Sequence, residues 1–578
     1  MIFIDKLNIL SFLKVIKSKH KKVHILSTLD NSSFVLINLL KTFKVEVVEE
    51  AFFYGDLRSS ESESLFIHTR KSSISLSFEY SNIISDSISI INNTNSVIDN
   101  NIFKSYISKI LMDEFEYFLR RIDYILNKFP NGNSNIQLII KRPKLIEKKF
   151  LRKNSKIKLK FIGNNFHSLI KEAFKFQLKI LISQLRNLLI SKRKLNYKTT
   201  LTIATDQIKT DCPERHFPHW LNSNNFKNQV IINNLNYKIG LSKEFIRKNN
   251  ITILDEKDIL YLPNKYLKIK SNNNLNPHLK IYFNQLLYLS QGLINLLNKY
   301  NCNKFIFSEP QDPISDAVIL SKAVVDIETF CIQYSNMCTQ TPVMITCADN
   351  FLCFSKEHEK VFRWNNIGPK NFISTGYTFL TRYKNQDLID LKEKLYKKGV
   401  ENIIAYFDES MQYDKWGYKS FQTCKLEYEM LADFILKNEN YAIILKPQFI
   451  RNTISVFNSN KIDQALKTGR LIELKSGTHR NLITPQQVGA ISEFSISDLV
   501  GGTAGLESGL AGSTVFFINP VNYISMLEDI YSQSGMLVDN TTSALNLILE
   551  ANNKDDFSNS LINKLSVKDV SIEKILGL

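Results

Sequence analysis

The chain alternates short apolar runs with segments of helical spacing, and this alternation restricts its fold more than any other feature. Near the N-terminus, the apolar runs Val23–Ser27 and Val45–Val48 flank a helix predicted over Phe34–Phe43. A strand, a helix and a second strand in this order form a β-α-β unit, in which the two strands lie parallel in one sheet. The first part of the chain is therefore predicted to contain a parallel sheet.

The same alternation continues along the chain and starts again at about residue 400. Strands are predicted at Thr199–Asp206, Lys304–Ser308 and Thr329–Gln333, and helices are predicted over Phe103–Asn127 and His167–Lys194. Beyond residue 400, a second series of strands and helices follows the same pattern. Two parallel α/β domains with a cleft between them are expected from this order.

The length of 578 residues fits more than one hydrophobic core. We predict an α/β fold with two Rossmann-like domains and a basic, helical insertion in the N-terminal half. The predicted limits are 1–390 for the first domain, about 141–198 for its insertion, 391–540 for the second domain and 541–578 for a helical tail. The Ser- and Asn-rich segment 57–110 gives no clear pattern.

The chain has a formal net charge of +18, and the surplus is uneven. Between Lys141 and Lys160 there are ten Lys and Arg residues and a single acid, Glu147. A basic surplus favours an anionic partner, but no nucleic-acid-binding signature accompanies it, so no nucleic-acid partner is expected. A solvated basic face and a patch for membrane phospholipid or lipid phosphate both remain open. The helix that follows is predicted to pack on a core or to lie on a bilayer.

The cysteine pattern indicates which cellular compartment the protein occupies and which cofactors are not expected. The seven cysteines form no Cys-x-x-Cys pair, which argues for a reducing compartment and against both zinc and a disulfide framework. No apolar stretch is long enough to span a membrane, and the N-terminus lacks the apolar core of a signal peptide. We expect a cytoplasmic protein without metal or cofactor, with a peripheral position on the inner membrane as an open alternative.

The segment Ser497–Gly512, SDLVGGTAGLESGLAG, concentrates glycines in a chain that has only 19 of them. It is predicted to contain a strand end, a loop at Gly501 and Gly502, and a helix over about Ala504–Ala511 that is capped by Thr503. Helix N-termini at the carboxyl edge of a parallel sheet bind phosphate, and glycine allows a ligand to approach the backbone. The segment therefore predicts a nucleotide-phosphate site that includes Gly502.

A packing interpretation of the same segment also stays open. Gly505, Gly509 and Ala511 can simply allow the helix to lie close to the sheet. The glycines match neither the dinucleotide-binding fingerprint nor the P-loop motif.

A series of motifs lies between residues 300 and 525, and its residues include Lys446-Pro447, Pro485, Val488, Ser492, Ser497-Asp498, Thr503-Ala504, Glu507, Leu510 and Gly512. In this order they resemble GT-B glycosyltransferases, above all bacterial surface-polysaccharide enzymes of the capsule Kdo-transferase-like and CDP-glycerol glycerophosphotransferase-like kinds. Upstream, the segments IETFCIQYSN, CADNFLCFSKEHEKVFRW and FISTGY are similar to the part that joins the two domains in that superfamily.

The chain departs from this pattern at two places. Many relatives carry Gln-His-Gly where this chain has Gln333-Tyr334-Ser335, and Lys-x-His-Pro where it has Lys446-Pro447-Gln448-Phe449. Any role of the histidine in the Gln-His-Gly motif is therefore lost or moved in this chain.

The resemblance implies a metal-independent transferase that binds a nucleotide-activated donor in its C-terminal domain and an acceptor in its N-terminal domain. Carried over to this sequence, Thr503 and Ala504 face the donor phosphate and Glu507 faces the ribose. Lys446 adds a cation near the phosphate, or is a surface lysine at a strand end.

Acid and base candidates follow two predicted strands of the first domain. Asp211, Glu214 and His216 lie after the strand Thr199–Asp206, and Glu309 lies after the strand at 304–308. Histidines and carboxylates can remove a proton from an acceptor hydroxyl near neutral pH. A polar loop is the alternative for the first group, and its prolines argue against a zinc site.

Two further donor-site candidates lie in the second domain. Asp408 ends its first predicted strand, next to the expected cleft, and His479 stands in a loop where a nucleotide base can be held or where it is only a surface side chain.

Together these features predict a transferase of cell-surface polysaccharide assembly, such as capsule or lipopolysaccharide. It would move a sugar from a CMP- or UDP-linked donor to a glycan or lipid-linked acceptor, with an anionic inner-membrane surface as a further partner. Two alternatives stay open: a transferase of polyol phosphate from a CDP-activated donor, and a non-catalytic carbohydrate-binding protein.

Overall fold

The structure is a computed structural model of the chain. The residues that it describes are 2–18, 21–26, 31–50, 57–58, 64–86, 88–92, 99–129, 136–146, 157–162, 165–189, 201–204, 227, 229–233, 243–255, 258–271, 275–308, 310–333, 335–336, 339–377, 385–408, 419, 421–447, 457–475, 483–500, 502–520, 522, 525–527, 536–551 and 575.

The chain divides into two compact units, each made of segments that are distant in sequence. The first unit comprises Met1–Leu185, Leu267–Leu286 and Gln412–Phe421. The second unit comprises Arg186–Tyr266, Leu287–Met411 and Gln422–Leu578.

Strands and helices alternate through most of the described chain. The strands are β1 (Ile2–Ile4), β2 (Lys22–Ile25), β3 (Glu46–Glu49), β4 (Ile88–Asn92), β5 (Gln137–Lys141), β6 (Lys158–Ile162), β7 (Leu201–Ala204), β8 (Gln229–Asn233), β9 (Thr252–Asp255), β10 (Leu267–Ser271), β11 (Lys304–Phe307), β12 (Glu328–Ile332), β13 (Asn350–Cys353), β14 (Asn371–Ser374), β15 (Asn402–Asp408), β16 (Tyr441–Pro447), β17 (Leu471–Glu473), β18 (Phe494–Asp498), β19 (Thr514–Ile518) and β20 (Leu537–Val538). The helices are α1 (Ile9–Lys17), α2 (Asn31–Thr42), α3 (Leu65–Ser85), α4 (Asn100–Lys128), α5 (Asn165–Leu189), α6 (Lys243–Lys248), α7 (Pro277–Tyr300), α8 (Pro313–Ser321), α9 (Glu359–Phe362), α10 (Gln386–Lys397), α11 (Phe421–Lys437), α12 (Asn460–Lys467), α13 (Pro485–Gly489), α14 (Thr503–Leu510) and α15 (Thr541–Glu550).

The first unit contains a five-stranded parallel sheet of order β3-β2-β1-β5-β6 and an antiparallel pair, β4 with β10. Ile2, Ile4, Val23 and Ile139 of the parallel sheet are fully buried in one apolar cluster. Strands that are covered on both faces by helices read as continuous apolar runs, which explains the predicted run at 23–27. The run at 45–48 lies on β3, an edge strand in which Val47 and Val48 are half-buried and Glu46 is exposed.

The carboxyl edge of this five-stranded sheet is covered by α4. Asp5, just after β1, pairs with Arg121 and accepts a hydrogen bond from Tyr117. Glu50, just after β3, accepts hydrogen bonds from His24, Tyr124 and Lys128.

Burial alone would raise the pKa of Glu50, but the hydrogen bonds from Lys128, His24 and Tyr124 outweigh it and lower that pKa. The edge where parallel sheets commonly bind ligands is thus filled here by the protein's own side chains.

The second unit contains two parallel sheets. A seven-stranded sheet has the order β14-β13-β12-β11-β7-β8-β9, and a six-stranded sheet has the order β17-β16-β15-β18-β19-β20. In each sheet the chain first builds outward on one side and then returns to the other side of its first strand. This reversal creates a topological switch point between β7 and β11 in one sheet and between β15 and β18 in the other.

The predicted α/β class with parallel, Rossmann-like sheets is confirmed. The structure contains three parallel sheets, and the opening β-α-β unit belongs to a sheet of its own. The basic segment contains the predicted helix, α5, but also the strand β6, which pairs with β5. The segment that gave no pattern contains the long helix α3. The domain limits at 390 and 540 stay predictions.

Asp349 links the amino ends of β12 and β13 in the seven-stranded sheet. Its carboxylate accepts hydrogen bonds from the backbone N–H of Thr329, at 3.0 Å, and from the Thr329 hydroxyl, at 2.8 Å. It also forms ion pairs with Lys322 and Lys370. Burial would raise the pKa of Asp349, but these partners outweigh it and lower that pKa to about 2.

We expect Asp349→Asn to lower the free energy of unfolding at pH 7 by about 2 kcal/mol, because the depressed pKa is a stability contribution. That contribution is complete above the unfolded pKa, near 4, and is lost as pH falls towards 2. Urea unfolding followed by circular dichroism should therefore separate wild type and variant at pH 7, and the gap should close near pH 2. A gap that is the same at both pH values would contradict this assignment.

Candidate functional site

The switch point of the six-stranded sheet is the first element of the candidate site. β15 and β18 are neighbours, with β16 and β17 on one side and β19 and β20 on the other. Asp408 ends β15 and Asp498 ends β18, so two carboxylates lie at the carboxyl ends of the central strands. In open α/β sheets the crevice at this point is the usual ligand site.

Helix α14 begins directly beyond β18 and has no side-chain cap. Its N-cap residue is Gly502, and the next residues, Thr503 and Ala504, are half-buried. The first N–H groups of a helix have no partner within the helix. An uncapped helix start therefore offers free N–H groups and a partial positive charge, both of which suit a phosphate group.

Glycines bring α14 very close to the sheet. A Cβ atom at Gly505 would lie 2.7 Å from Cε1 of Phe517 and 2.8 Å from Cβ of Ser497. At Gly489, in α13, a Cβ atom would lie 2.6 Å from Cα of Ser508. Gly512 ends the helix in the left-handed region, at φ +106°. The packing interpretation thus accounts for Gly505 and also for Gly502, where a Cβ atom would lie 2.9 Å from Cε1 of Phe517. A ligand at this position is therefore supported by the N–H groups at the start of α14 and not by the glycines.

Glu507 lies one turn into α14 and is only 4% exposed. Its Oε1 atom accepts a hydrogen bond of 2.5 Å from the hydroxyl of Tyr377. Tyr377 follows β14, so this contact joins the end of the seven-stranded sheet to the helix of the six-stranded sheet. The second carboxylate oxygen, Oε2, makes no hydrogen bond to the described residues and is free to accept one from a ligand.

The side chain of Thr503 already has protein partners. Its Oγ1 atom accepts a hydrogen bond of 2.8 Å from the N–H of Asn336 and lies 3.1 Å from Oγ of Ser335. Both partners belong to the loop that follows β12. The carboxyl ends of strands from both sheets of the second unit therefore meet around the start of α14.

The loop after β12 is held by Gln333. Its amide oxygen accepts a hydrogen bond from the N–H of Phe354, and its amide nitrogen donates one to the carbonyl of Ser335, each at 2.9 Å. Gln333 therefore sets the path of the loop that contacts Thr503.

A buried histidine supports the same loop from the other side. Nδ1 of His358 lies 2.9 Å from Oγ of Ser355, and Nε2 lies 3.2 Å from Oδ1 of Asn336. Because the Asn336 oxygen can only accept, Nε2 carries the proton and Nδ1 accepts from Ser355. Burial lowers the pKa of His358 to about 4, so the ring is neutral near pH 7.

Asp408 is buried, and its carboxylate accepts a hydrogen bond of 3.0 Å from the hydroxyl of Tyr428 in α11. Next to it, the hydroxyl of Tyr406 donates to Glu427 at 2.9 Å. Burial and the neighbouring carboxylates raise the pKa of both tyrosines well above the usual value, so both remain donors. The predicted donor-site residue Asp408 thus already has one protein partner in the structure.

Lys446 is 3% exposed and pairs with Phe407 across β15 and β16. The structure therefore does not support the alternative that Lys446 is a surface lysine. Buried lysines are rare unless they are paired.

Five predicted site residues lie outside the described residues: Asp211, Glu214, His216, Glu309 and His479. The strands that precede the first four are described. β7 ends at Ala204 and β11 ends at Phe307, and these two strands flank the switch point of the seven-stranded sheet.

Sequence reasoning missed Tyr377, Asn336 and His358 as individual residues. They lie in the upstream segments that carried the resemblance, but their contacts with Thr503, with Glu507 and with one another join positions up to 167 residues apart. The only signal in the sequence was the similarity of the quoted motifs, which indicated the segments but not the individual residues.

The second unit has a depression of about 510 Å³ beside α9. Its lining includes Lys356, Lys360, Arg363 and Met526, and none of the donor-site candidates. The chemistry of the uncapped helix start, rather than cavity size, therefore defines the candidate site. Among the described residues, no cluster of three or more His, Cys, Asp or Glu is arranged to hold a metal ion.

Neither a family model nor a curated protein matches the chain. Several solved structures are similar to it. UDP-GlcNAc 2-epimerase from Neisseria meningitidis, bound to UDP-GlcNAc, is 11% identical, with 64% of this chain and 94% of that chain covered and a TM-score of 0.40. A glycosyltransferase from Rickettsia africae is 13% identical, with 64% and 95% covered and a TM-score of 0.39.

Sucrose-phosphate synthase from Thermosynechococcus elongatus is 10% identical, with 66% of this chain and 96% of that chain covered and a TM-score of 0.39. These values are too low to carry a conclusion about activity. The function proposed below rests on the geometry at the start of α14.

Proposed function

We propose that the chain is a GT-B-type glycosyltransferase that takes a nucleotide-activated sugar donor at the start of α14. The observation that carries this proposal is the uncapped N-terminus of α14 at the switch point of the six-stranded sheet, with the carboxylate of Glu507 one turn further on. A phosphate group fits the free N–H groups, and a ribose fits a carboxylate at that distance along the helix.

In the proposed reaction, an acceptor hydroxyl attacks the anomeric carbon of the sugar. The bond between that carbon and the donor phosphate oxygen breaks, and the nucleotide leaves with the electron pair. A general base removes the acceptor proton. The N–H groups of Thr503 and Ala504 stabilise the negative charge that grows on the leaving phosphate, which is the main electrostatic contribution of the site.

We propose roles for the other candidate residues within the same reaction. Asp211, Glu214, His216 and Glu309 follow the two strands at the switch point of the seven-stranded sheet, so we propose the general base among them. Lys446 and Asp408 lie on adjacent strands of the six-stranded sheet and are proposed to contact the donor. His479 is proposed to contact the nucleotide base of the donor.

The proposal also includes the donor, the acceptor and the membrane surface that were predicted from the sequence. They are a CMP- or UDP-linked sugar, a glycan or lipid-linked acceptor of bacterial surface-polysaccharide assembly, and an anionic membrane surface at which the acceptor is met. The likeness to capsule Kdo-transferase-like and CDP-glycerol glycerophosphotransferase-like enzymes supports them at the level of motifs.

Two other functions use the same helix start. A transferase of polyol phosphate from a CDP-activated donor needs the same phosphate contacts but releases CMP and transfers a phosphate with the polyol. A non-catalytic carbohydrate-binding protein would not turn over any donor. Mass spectrometry of the products from UDP-sugar, CMP-sugar and CDP-glycerol donors separates the three.

A thermal-unfolding screen with CMP, CDP, UDP and AMP tests whether the helix start binds nucleotide. We expect one pyrimidine nucleotide, present at about 100 times its Kd, to raise the Tm by about 2 °C or more. Thr503→Asp should abolish the shift, because its charge repels phosphate while it still accepts from Asn336 and suits the helix dipole. Thr503→Ser should retain the shift. Equal shifts in both variants, or none in wild type, would refute the proposal.

A further inference from the structure

Helix α5 exposes a continuous apolar stripe. Its members recur three, four and seven positions apart, so they lie on one side of the helix. They are Ile170, Phe174, Leu178, Leu181, Ile182 and Leu185, and they are between 42% and 68% exposed. Among the described residues, 19 large apolar side chains are exposed, and six of them lie on this one helix.

The stripe is not the face by which α5 packs on the protein. Phe176, Ile180 and Ser183 are buried and lie on a different side of the helix. The helix therefore has two apolar faces. One of them already contributes to the fold, and the other is exposed. Exposed apolar patches of this kind mark interaction sites.

A row of cations borders the exposed stripe. Lys171, Lys175, Lys179 and Arg186 each directly follow a stripe residue along the helix. Lys171 and Lys175 are exposed, while Lys179 and Arg186 also interact with other groups of the protein. The one acid of the helix, Glu172, is engaged by Lys144 at 2.5 Å and by His278 at 2.8 Å. In addition, the sequence on both sides of α5 is basic, at 141–160 and at Lys192–Lys194.

Together these features fit an anionic lipid surface. An apolar stripe bordered by Lys and Arg is the pattern by which a helix lies in the plane of a membrane interface, with its apolar side among the acyl chains and its cations at anionic headgroups. Among the described residues, no helix combines the length and apolar character needed to cross a bilayer. The exposed Lys171 and Lys175 in particular favour an orientation of α5 parallel to the membrane plane.

We propose that α5 docks the protein on an anionic phospholipid membrane through this stripe. The inference does not depend on the transferase activity, since it rests on α5 alone. It does give the proposed enzyme a way to reach a lipid-linked acceptor.

Co-sedimentation of the full chain with vesicles tests the docking. Wild type should bind vesicles that contain phosphatidylglycerol in phosphatidylcholine, and it should bind pure phosphatidylcholine vesicles much more weakly. Binding should weaken as salt is raised, because the headgroup attraction is screened. Equal binding to both vesicle types, or none to either, would overturn the proposal.

Two sets of variants separate the stripe from the cations. Phe174→Ser with Leu178→Ser should lower the partition coefficient at least tenfold, because apolar area is no longer buried in the lipid. Lys171→Glu with Lys175→Glu should lower it about tenfold on anionic vesicles only. The matched controls are Leu426→Ser, an exposed leucine of α11, and Lys394→Glu, an exposed lysine of α10, and both should bind like wild type.

A conservative variant reports on insertion if the serine variants fail to fold. Phe174→Trp keeps an apolar ring, and its added fluorescence should shift to the blue and be quenched by brominated lipid when vesicles are present. Light scattering tests a second copy of the chain as the occupant instead. A dimer that dissociates in the Phe174→Ser, Leu178→Ser variant, together with no vesicle binding by wild type, would overturn the lipid assignment.

Discussion

Replacement of Glu507 with Ala is expected to lower donor turnover at least 100-fold. In the proposed site its carboxylate accepts from the ribose hydroxyls, and hydrogen bonds to a charged group contribute about 1.5–3 kcal/mol each. A loss of 100-fold corresponds to about 2.8 kcal/mol, which is within the range for one or two such bonds. Release of the free nucleotide from UDP- or CMP-linked sugars, with and without acceptor, gives the measurement.

Tyr377→Phe is the matched control for Glu507→Ala. It removes the hydroxyl that donates to Oε1 of Glu507 but keeps both the ring and the carboxylate. We expect this variant to lose about 1 kcal/mol of stability and to keep most of its turnover. Full turnover in folded Glu507→Ala would contradict the ribose assignment, and an equal loss in both variants would indicate that the carboxylate acts only through Tyr377.

The second large effect is a pH dependence of stability caused by His358. Its pKa is about 4 in the folded protein, because it is buried, and near 6.5 in the unfolded chain. Between these values the unfolded chain binds a proton that the folded protein does not bind. The stability contribution is therefore complete above pH 6.5 and falls by about 1.4 kcal/mol per pH unit below it, to a total of about 3 kcal/mol at pH 4.

Urea unfolding of wild type and His358→Gln at pH 7, 6 and 5 measures this contribution. Wild type should lose stability more steeply than the variant as the pH falls. Asp349, with a folded pKa of about 2, titrates mainly below pH 4 and does not interfere in this window. Parallel pH profiles of the two proteins would exclude His358 as the titrating group.

The periodicity of the sequence was enough to predict the α/β class, because strands covered by helices on both faces read as apolar runs. It predicted α2, α4, α5 and α14 to within a few residues. It failed for α3, where several serines occupy the buried face. Ser73, Ser77 and Ser81 are buried there and donate to the backbone of their own helix, so the apolar period is interrupted.

The candidate site was only partly predictable, because its geometry depends on contacts between distant segments. Composition and spacing drew attention to Gly502, Thr503 and Glu507, all of which lie in one stretch. Spacing along the chain did not reveal that Thr503 accepts from Asn336, or that Lys446 is buried. For α5 the sequence left open whether the helix packs on a core or lies on a bilayer, because an apolar helix face is compatible with both until the packing is known. The structure shows one buried apolar face and one exposed apolar face on this helix.

The hydrogen bond from the Tyr377 hydroxyl to Glu507 offers a way to detect whether the proposed nucleotide site is occupied. A ribose held by Glu507 must share this carboxylate with a phenol on the polypeptide that leaves β14. A bound nucleotide would then alter the surroundings of the Tyr377–Glu507 hydrogen bond, which joins the two sheets of the second unit. The environment of this single ring can serve as an internal reporter of the nucleotide-bound state.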